Sequence, residues 1–382
     1  MTRITGKSQS HTELVSTAEF QRWNELVRRA FPSDIYHECV FHRLAEANGK
    51  KTARLFHFQY GEFSISLPLI LRQIDECLLS KTYIVQRVCD ATSVYGYVGP
   101  VASHAEVPVE VIREFQTALT TTLRDAGVVS VFSRLHPLIP QQRLLHGLGE
   151  CVSCGTNVSI DLTTPPDTQW ADYRANHRDD IDRLRKLGIR VVHDQNLRFL
   201  EDFIEIYYET MRRVNAAEKY FFPRDYFLNL LNDRDSSTHL FVCLREDYPI
   251  SGGLFTVSSG ILQCHLVAAL DAYHKQSPVK LLLDEVRLWA NRRGFHTMHL
   301  GGGVGATDDS LLHFKRGFGR REHKFSVWRW IVDAGLYAEL CRAKDCCDAE
   351  HGWTPVEMDY FPHYRSHSAP IGAPAHSCDI DL

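Results

Sequence analysis

One stretch near the end of the chain concentrates side chains that can do chemistry. Asp309-Ser-Leu-Leu-His-Phe314-Lys315-Arg316-Gly317-Phe318-Gly319 sets a lysine between an aromatic ring and a glycine-lined turn. A lysine held that way can donate to a developing oxyanion, provided its side chain points into a cleft. On an ordinary amphipathic helix, Lys315 and Arg316 would face water instead. Just upstream, Leu300-Gly301-Gly302-Gly303-Val304-Gly305-Ala306 follows a strand-like run and satisfies the G-x-G-x-x-A pattern of dinucleotide-binding loops. Such a loop opens a helix of several turns, and an acidic residue closes a second strand about twenty residues on. Here only a short helical stretch, Asp308 to Arg316, follows, and Phe325 to Val332 lacks the acid. The context therefore does not fit a nicotinamide site on this motif.

A second concentration is basic. Arg174-Ala-Asn-His-Arg178-Asp-Asp-Ile-Asp-Arg183-Leu-Arg185-Lys186 can offer Arg178, Arg185 and Lys186 to phosphates. It can equally be a solvated helix face laced by pairs such as Asp179 with Arg183 and Asp182 with Lys186. Further on, Ser277-Pro278 opens a helix, with serine suited to the N-cap and proline to the first helical position. Its free N–H groups favour an anion. The residues before it, Asp271-Ala-Tyr-His-Lys275-Gln276, hold no glycine-rich turn that would let the backbone approach a pyrophosphate. A conventional coenzyme A site is therefore not expected, although Lys275 can still meet a phosphate.

Acyl transfer to an amine also needs a proton acceptor. Asp308, Asp309, His265, His299 and Glu285 are the candidates, and the spacing does not choose among them. One of Asp308 and Asp309 is expected to cap the short helix before Lys315. The aromatic run from Asn215 to Pro223 reads as core. Of eleven cysteines, only Cys151 and Cys154 form a CxxC, with no second pair at zinc-ribbon spacing. No metal site is expected, and the thiols read as reduced.

The elements that must position these residues follow from periodicity. In the first half, a helix is expected over Thr17–Arg29 and strands over 52–58 and 63–71. The loop Tyr95-Gly-Tyr97-Val-Gly-Pro100 comes next, then a helix over Val107–Ala126 and a strand over Val128–Leu135. In the second half, a strand at Val158–Leu162 precedes a basic helix, Asp167–Leu187, and a strand at Ile189–His193. Helices at Phe199–Arg213 and Phe222–Leu231 lead into three strands, His239–Arg245, Ile250–Ser258 and Ile261–Leu270. A helix from Ser277 to Arg293 and strands at His296–Leu300 and Lys324–Val332 complete the half. Both halves show one α/β order with a mixed sheet, the second more completely.

The fold class expected is thus α/β, with two tandem domains. The domains are 1–155 and 156–340, followed by a loosely attached tail, 341–382, whose prolines and histidines show no periodicity. The formal net charge of −4 argues against a global nucleic-acid-binding field, leaving only local basic patches. The N-terminal residues carry no apolar signal core, and no run is long enough to span a bilayer, so a cytoplasmic location is expected.

The Ser277–Gly294 helix, the Leu-Gly-Gly-Gly turn and Phe-Lys-Arg-Gly-Phe-Gly together resemble the C-terminal domain of FemA/FemB/FemX aminoacyltransferases. Tyr95–Pro100 resembles another segment of those proteins, and the likeness covers roughly residues 20–340. It implies tandem acetyltransferase-like (GNAT) domains that move an amino acid from aminoacyl-tRNA to an amine. It also implies that Lys315, with Phe314 beside it, stabilises the transition state. The basic segment resembles the family's arginine-rich helix. Lys315 and Phe314 from the resemblance, with Asp308 from the proton-acceptor candidates, are the expected catalytic residues. Tyr95, Tyr97, Arg178, Arg185, Lys186, Lys275 and His265 are expected to bind substrate, with the Tyr95–Pro100 loop completing the acceptor pocket. The coiled-coil arm of some members is absent, so a peptidoglycan, lipid-linked or nucleotide-linked acceptor rests on the family alone. No resident cofactor is expected: aminoacyl-tRNA is the co-substrate, with a coenzyme A thioester as the alternative. An acyl-CoA N-acyltransferase acting on an amino sugar and an inactive precursor-binding protein are the competing functions.

Overall fold

The computed structural model describes residues 10–47, 51–232, 237–356 and 359–370. In chain order the first elements are β1 (Ser10–Ser16), α1 (Phe20–Arg28), α2 (Cys39–Ala47), β2 (Lys51–Tyr60), β3 (Phe63–Gln73) and α3 (Glu76–Leu79). Next come β4 (Cys89–Thr92), β5 (Val101–Ala102), α4 (Val109–Asp125), β6 (Val128–Arg134), α5 (Gln142–Leu145) and β7 (Glu150–Asp161). The middle of the chain holds α6 (Pro166–Ala171), α7 (Ala175–Lys186), β8 (Arg190–His193), α8 (Leu200–Arg213), α9 (Arg224–Asn232) and β9 (Ser237–Arg245). After these run β10 (Tyr248–Ser258), β11 (Ile261–Ala269), α10 (Asp271–His274), α11 (Pro278–Arg292), β12 (Thr297–Gly302) and α12 (Ser310–Lys315). Last are β13 (Arg321–Ile331), α13 (Ala334–His351), β14 (Trp353–Pro355) and β15 (Ser368–Pro370).

Described residues up to Cys154, together with those from Phe325 onward, form one compact unit, and Gly155–Lys324 form another. The first unit's sheet runs β1-β2-β3-β4-β6-β13, with β5 on β3; the second's runs β7-β12-β11-β10-β9-β8. Each is a ladder of antiparallel neighbours broken by one parallel pair, β4 with β6 and β11 with β12. Element order repeats as well. Strand, two helices, three strands, helix, strand describes both β1 to β6 and β8 to β12, apart from the small α3, β5 and α10. The strand after α5 completes the second sheet on β12, and the strand after α12 completes the first on β6. This exchange makes the first unit discontinuous in sequence.

Burial explains the elements. In α4, Val111, Phe115 and Leu119 recur at helical spacing and are buried, Phe115 lying edge-on to Phe56 and Phe58. All of β6 is buried, as expected of a strand covered on both faces. In the second unit, Leu281, Leu282, Val286 and Ala290 of α11 pack into one core with Val158, Phe241 and Met298. Phe203, Ile206 and Tyr207 of α8 build a second core with Phe227, Val242 and Leu254.

Among the elements, the structure differs from expectation at the basic helix and in the tail. The basic helix breaks at Arg174, which is extended because its N–H donates to the carbonyl of Gly317 at 3.0 Å. The tail expected from residue 341 begins inside α13, which continues to His351. Beyond that helix Tyr364 is 2% exposed and shares a hydrogen bond with Ser130 at 2.7 Å. Alanines, cysteines and charges blur the apolar spacing of α13, which seats mainly through Leu340 and Ala343. Residues 371–382 of that expected tail lie outside the described residues.

Several histidines are buried neutral. Burial pushes His37 and His57 in the first unit, and His177 and His239 in the second, down to about 4, and His42 to about 3. Unfolding returns each toward the ordinary value of 6.5, so the unfolded chain binds more protons below that pH. Stability present above pH 6.5 is therefore lost as pH falls toward 4. Thermal unfolding followed from neutral to acidic pH should show Tm declining across that window. A flat profile would mean these side chains are not buried.

Candidate active site

In the second unit, β11 and β12 pair in parallel only through Ile261–Gln263 and Thr297–His299. Beyond Gln263 and His299 both strands continue but the ladder between them stops. Each is bulged at that point. Leu254 faces Leu266 while Phe255 faces Cys264, so His265 is the extra residue of β11. His299 faces Ser159 while Gly301 faces Val158, so Leu300 is the extra residue of β12. Bulges of this kind end pairing and re-aim side chains beside active sites. In the first unit the corresponding strands are bridged further on, because Val98 pairs with Leu135 and donates to the carbonyl of Arg134 at 2.9 Å.

Lys315 comes to the open end of β12. Its Nζ donates to the carbonyl of Gly302 at 2.6 Å, and a Cβ built on Gly301 would stand 3.2 Å from it. Burial of the ammonium lowers its pKa below the ordinary lysine range, with Cys264 and Asp309 acting in the opposite direction. Cys264 is the neighbour from β11, and burial pushes its thiol up to about 11 against the pull of Lys315.

What aims Lys315 is the seating of α12. Asp309 caps that helix, accepting from Leu312 N–H at 2.8 Å, and its other oxygen accepts from Val304 N–H at 3.0 Å. One carboxylate thus ties the glycine turn to the helix. Phe314 packs on His177 and Phe318, with ring centroids 5.4 and 5.3 Å away, and its carbonyl accepts from His177 Nε2 at 3.0 Å. Arg174 donates to the carbonyl of His313 at 3.0 Å. A Cβ on Gly317 would meet His177 Nε2 at 2.2 Å, so only glycine lets the turn lie on α7. The Phe-Lys-Arg-Gly-Phe-Gly segment is therefore a docking sequence for α7 that leaves the lysine facing β12.

The other expected residues are placed as follows. Asp308 is exposed and gives both oxygens to Arg316, at 2.7 and 2.8 Å, which holds its carboxyl below the usual range. It is an ion-pair partner here. Arg178 donates to the carbonyls of Ala171 and Tyr173. Arg185 pairs with Asp284 and Glu285 at 2.7 and 2.6 Å. Both arginines fasten α7 locally or to α11, where Lys280 with Asp180 and the buried Arg287 with Asp284 extend the network. The ion pairs within α7 fall at i, i+3, Asp180 with Arg183 and Asp182 with Arg185, instead of the expected i, i+4. Lys186 and Lys275 are exposed. His265 is half-buried with Nε2 2.8 Å from the Tyr226 hydroxyl, and His299 is buried on Gln263. In the first unit, Tyr95 is exposed under the Arg134 guanidinium, and Tyr97 packs among Tyr36, His136 and Phe325. Ser277 stands in the left-handed region at φ 58° and makes no capping bond, so proline alone opens α11 as expected.

Sequence reasoning missed His177, Arg174 and Cys264. Gly317 was the available signal for the first two, since an unexplained glycine beside a functional lysine implies a close neighbour. Nothing marked Cys264, because bulges leave no trace in apolar spacing. Among the described residues, no group of three or more His, Cys, Asp or Glu is placed to hold a metal ion.

Residues 171–316 match the family model described as an acetyltransferase (GNAT) domain. That span contains the splayed strands, α7, α11 and Lys315, and it marks the second unit as an acetyltransferase-like (GNAT) domain. The fold is similar to that of FemX, with a TM-score of 0.64 and 12% identity over 86% of this chain and 99% of that one. L-PGS from Bacillus licheniformis gives 0.52 and 14%, covering 83% of this chain and 93% of its own. The C-terminal domain of a putative lysylphosphatidylglycerol synthetase from Agrobacterium fabrum gives 0.50 and 14%, covering 88% and 97%. Sequence comparison with curated proteins finds no match. With the repeated element order, these likenesses make the chain a FemX-like tandem GNAT protein in fold.

Gly317→Ala should force α12 away from His177 and cost about 1–3 kcal/mol of stability. Asp308→Asn, at an exposed ion pair, should leave stability little changed. Urea unfolding of the two variants distinguishes a docking segment from a loose surface helix.

Proposed function

We propose that this protein transfers an aminoacyl group from aminoacyl-tRNA to an amine acceptor, and that the bond is made in the second unit at Lys315. The observation that carries the proposal is the fixed position of the Lys315 ammonium, 2.6 Å from the Gly302 carbonyl where β11 and β12 part. An amine attacking an acyl ester raises a tetrahedral oxyanion, which a preorganised cation in a partly desolvated place stabilises far better than water does. Holding donor and acceptor together supplies much of the remaining acceleration. Phe314 acts as a positioning residue through His177. Lys186 and Lys275 are exposed members of the expected phosphate-binding set, whereas the guanidinium groups of Arg178 and Arg185 are engaged within the second unit. The fold shared with FemX, with L-PGS and with a domain of a putative lysylphosphatidylglycerol synthetase supports an aminoacyl donor.

Gel-shift of the purified protein against charged and uncharged total tRNA, with coenzyme A binding measured in parallel, tests the donor. Saturable, salt-sensitive binding of charged tRNA is expected. Retention of coenzyme A without tRNA binding would make the protein an acyl-CoA-dependent N-acyltransferase instead. Lys315→Ala should lower kcat by about 10²–10³-fold with the donor still bound. Unchanged turnover in that variant would remove Lys315 from the chemistry.

A further inference from the structure

Two thiols far apart in sequence are brought together in the first unit. Cys77 is exposed on α3, and Cys347 is half-buried on α13. Packing between these helices sets the pairing. Leu78 of α3 and Leu340 of α13 are buried in one cluster, and Leu79 and Cys347 pack against it. Lys81, four residues after Cys77, pairs with Glu350, three residues after Cys347. Each partner of that ion pair therefore stands one helical turn beyond its cysteine. A second tie holds the same surfaces together, because the Tyr83 N–H donates to Glu339 of α13 at 2.5 Å.

With the faces matched in this way, the Cys77 thiol acts on Cys347 through both charge and hydrogen bonding, and the Lys81 ammonium feels both sulfurs. Cα atoms of the two helices approach within 8 Å, close to the span of about 4.4–6.8 Å that a disulfide bridges. A cysteine that serves only as a small hydrophobe is buried, as Cys39 and Cys243 are. Cys77 is exposed instead, so burial does not account for it and a small oxidant can reach it. The neighbouring Cys346 is exposed too, but it does not pack against the cluster that seats Cys347.

We propose that Cys77 and Cys347 are a redox modification site, a dithiol that closes reversibly to a disulfide and staples α13 to α3. A hydroperoxide is the oxidant. The Cys77 sulfur attacks one peroxide oxygen and the O–O bond breaks. With hydrogen peroxide, this leaves a sulfenic acid on Cys77 and releases one water. The Cys347 sulfur then attacks the sulfur of Cys77. The S–S bond forms, the S–O bond breaks, and the hydroxyl leaves as a second water with the proton of the Cys347 thiol. Two thiols have lost two electrons and two protons, and the peroxide has taken up both. Exchange with an external dithiol reverses the step. The inference goes beyond the acyl-transfer proposal and does not rest on it, since both cysteines lie in the first unit and Lys315 in the second.

Peptide mapping of the full chain tests it. The protein is treated with hydrogen peroxide, its remaining thiols are alkylated, and it is digested without reduction for mass spectrometry. The peptides carrying Cys77 and Cys347 should be recovered joined, with the intact mass lower by two hydrogens, and dithiothreitol should separate them. The yield of the joined peptide should fall at least tenfold in Cys77→Ser and in Cys347→Ser, and should hold in Cys346→Ser. Tm of the reduced Cys77→Ser protein should match that of the unaltered protein, because the side chain is exposed. Recovery of Cys77 and Cys347 alkylated and unlinked after peroxide would overturn the proposal. So would Cys77 ending as a sulfinic acid with Cys347 still free, or a link that survives in Cys347→Ser and is lost in Cys346→Ser. None of these outcomes depends on whether charged tRNA is the acyl donor.

Discussion

The hydrogen bond from His177 to the carbonyl of Phe314 is the contact on which the candidate active site depends. It is made inside a close approach that tolerates no side chain at Gly317, and it sets the rotation of a helix only six residues long. A helix that short has no stability of its own. Its orientation comes from the cap at one end, Asp309, and from α7 at the other. Lys315 follows from that orientation. Burial also keeps His177 neutral, so the contact persists at physiological pH without adding a like charge beside Lys280 and Arg174.

A basic helix that looks in sequence like a nucleic-acid surface is largely a structural clamp. Arg185 reaches two acids of α11, Lys280 reaches back to Asp180, and Arg287 is buried on Asp284. Removing one partner from such a network leaves a charge in low dielectric, so the cost falls on packing before it falls on binding. The clamp and the α12 seat share α7. Anything that shifts this helix therefore moves the lysine as well.

Much of the fold was legible. The strands around Val242, Leu254 and Met298 and the helix through Leu282 lie within a few residues of their expected positions, because apolar periodicity and glycine stops mark them directly. Lys315 was singled out as well, through its place between an aromatic ring and a glycine-lined turn and through the family resemblance of that segment. Less visible were features set by tertiary geometry: the exchange of β7 and β13, the break at Arg174, the bulge at His265, and α13, whose small and charged residues mask its spacing. Roles assigned by residue type alone also fared unevenly. Asp308 has the chemistry of a base, yet Arg316 takes both its oxygens. The charge balance around it, rather than its position in the chain, decides what it can do.

The most direct measurement is the titration of Lys315 itself. Reductive methylation with ¹³C-labelled formaldehyde, followed by NMR over alkaline pH, resolves each lysine, and a Lys315→Arg variant assigns the resonance. The structure predicts that Lys315 titrates below the other lysines, since its ammonium is buried against the end of β12. Titration together with the surface lysines would place that ammonium in water and contradict an oxyanion-stabilising role.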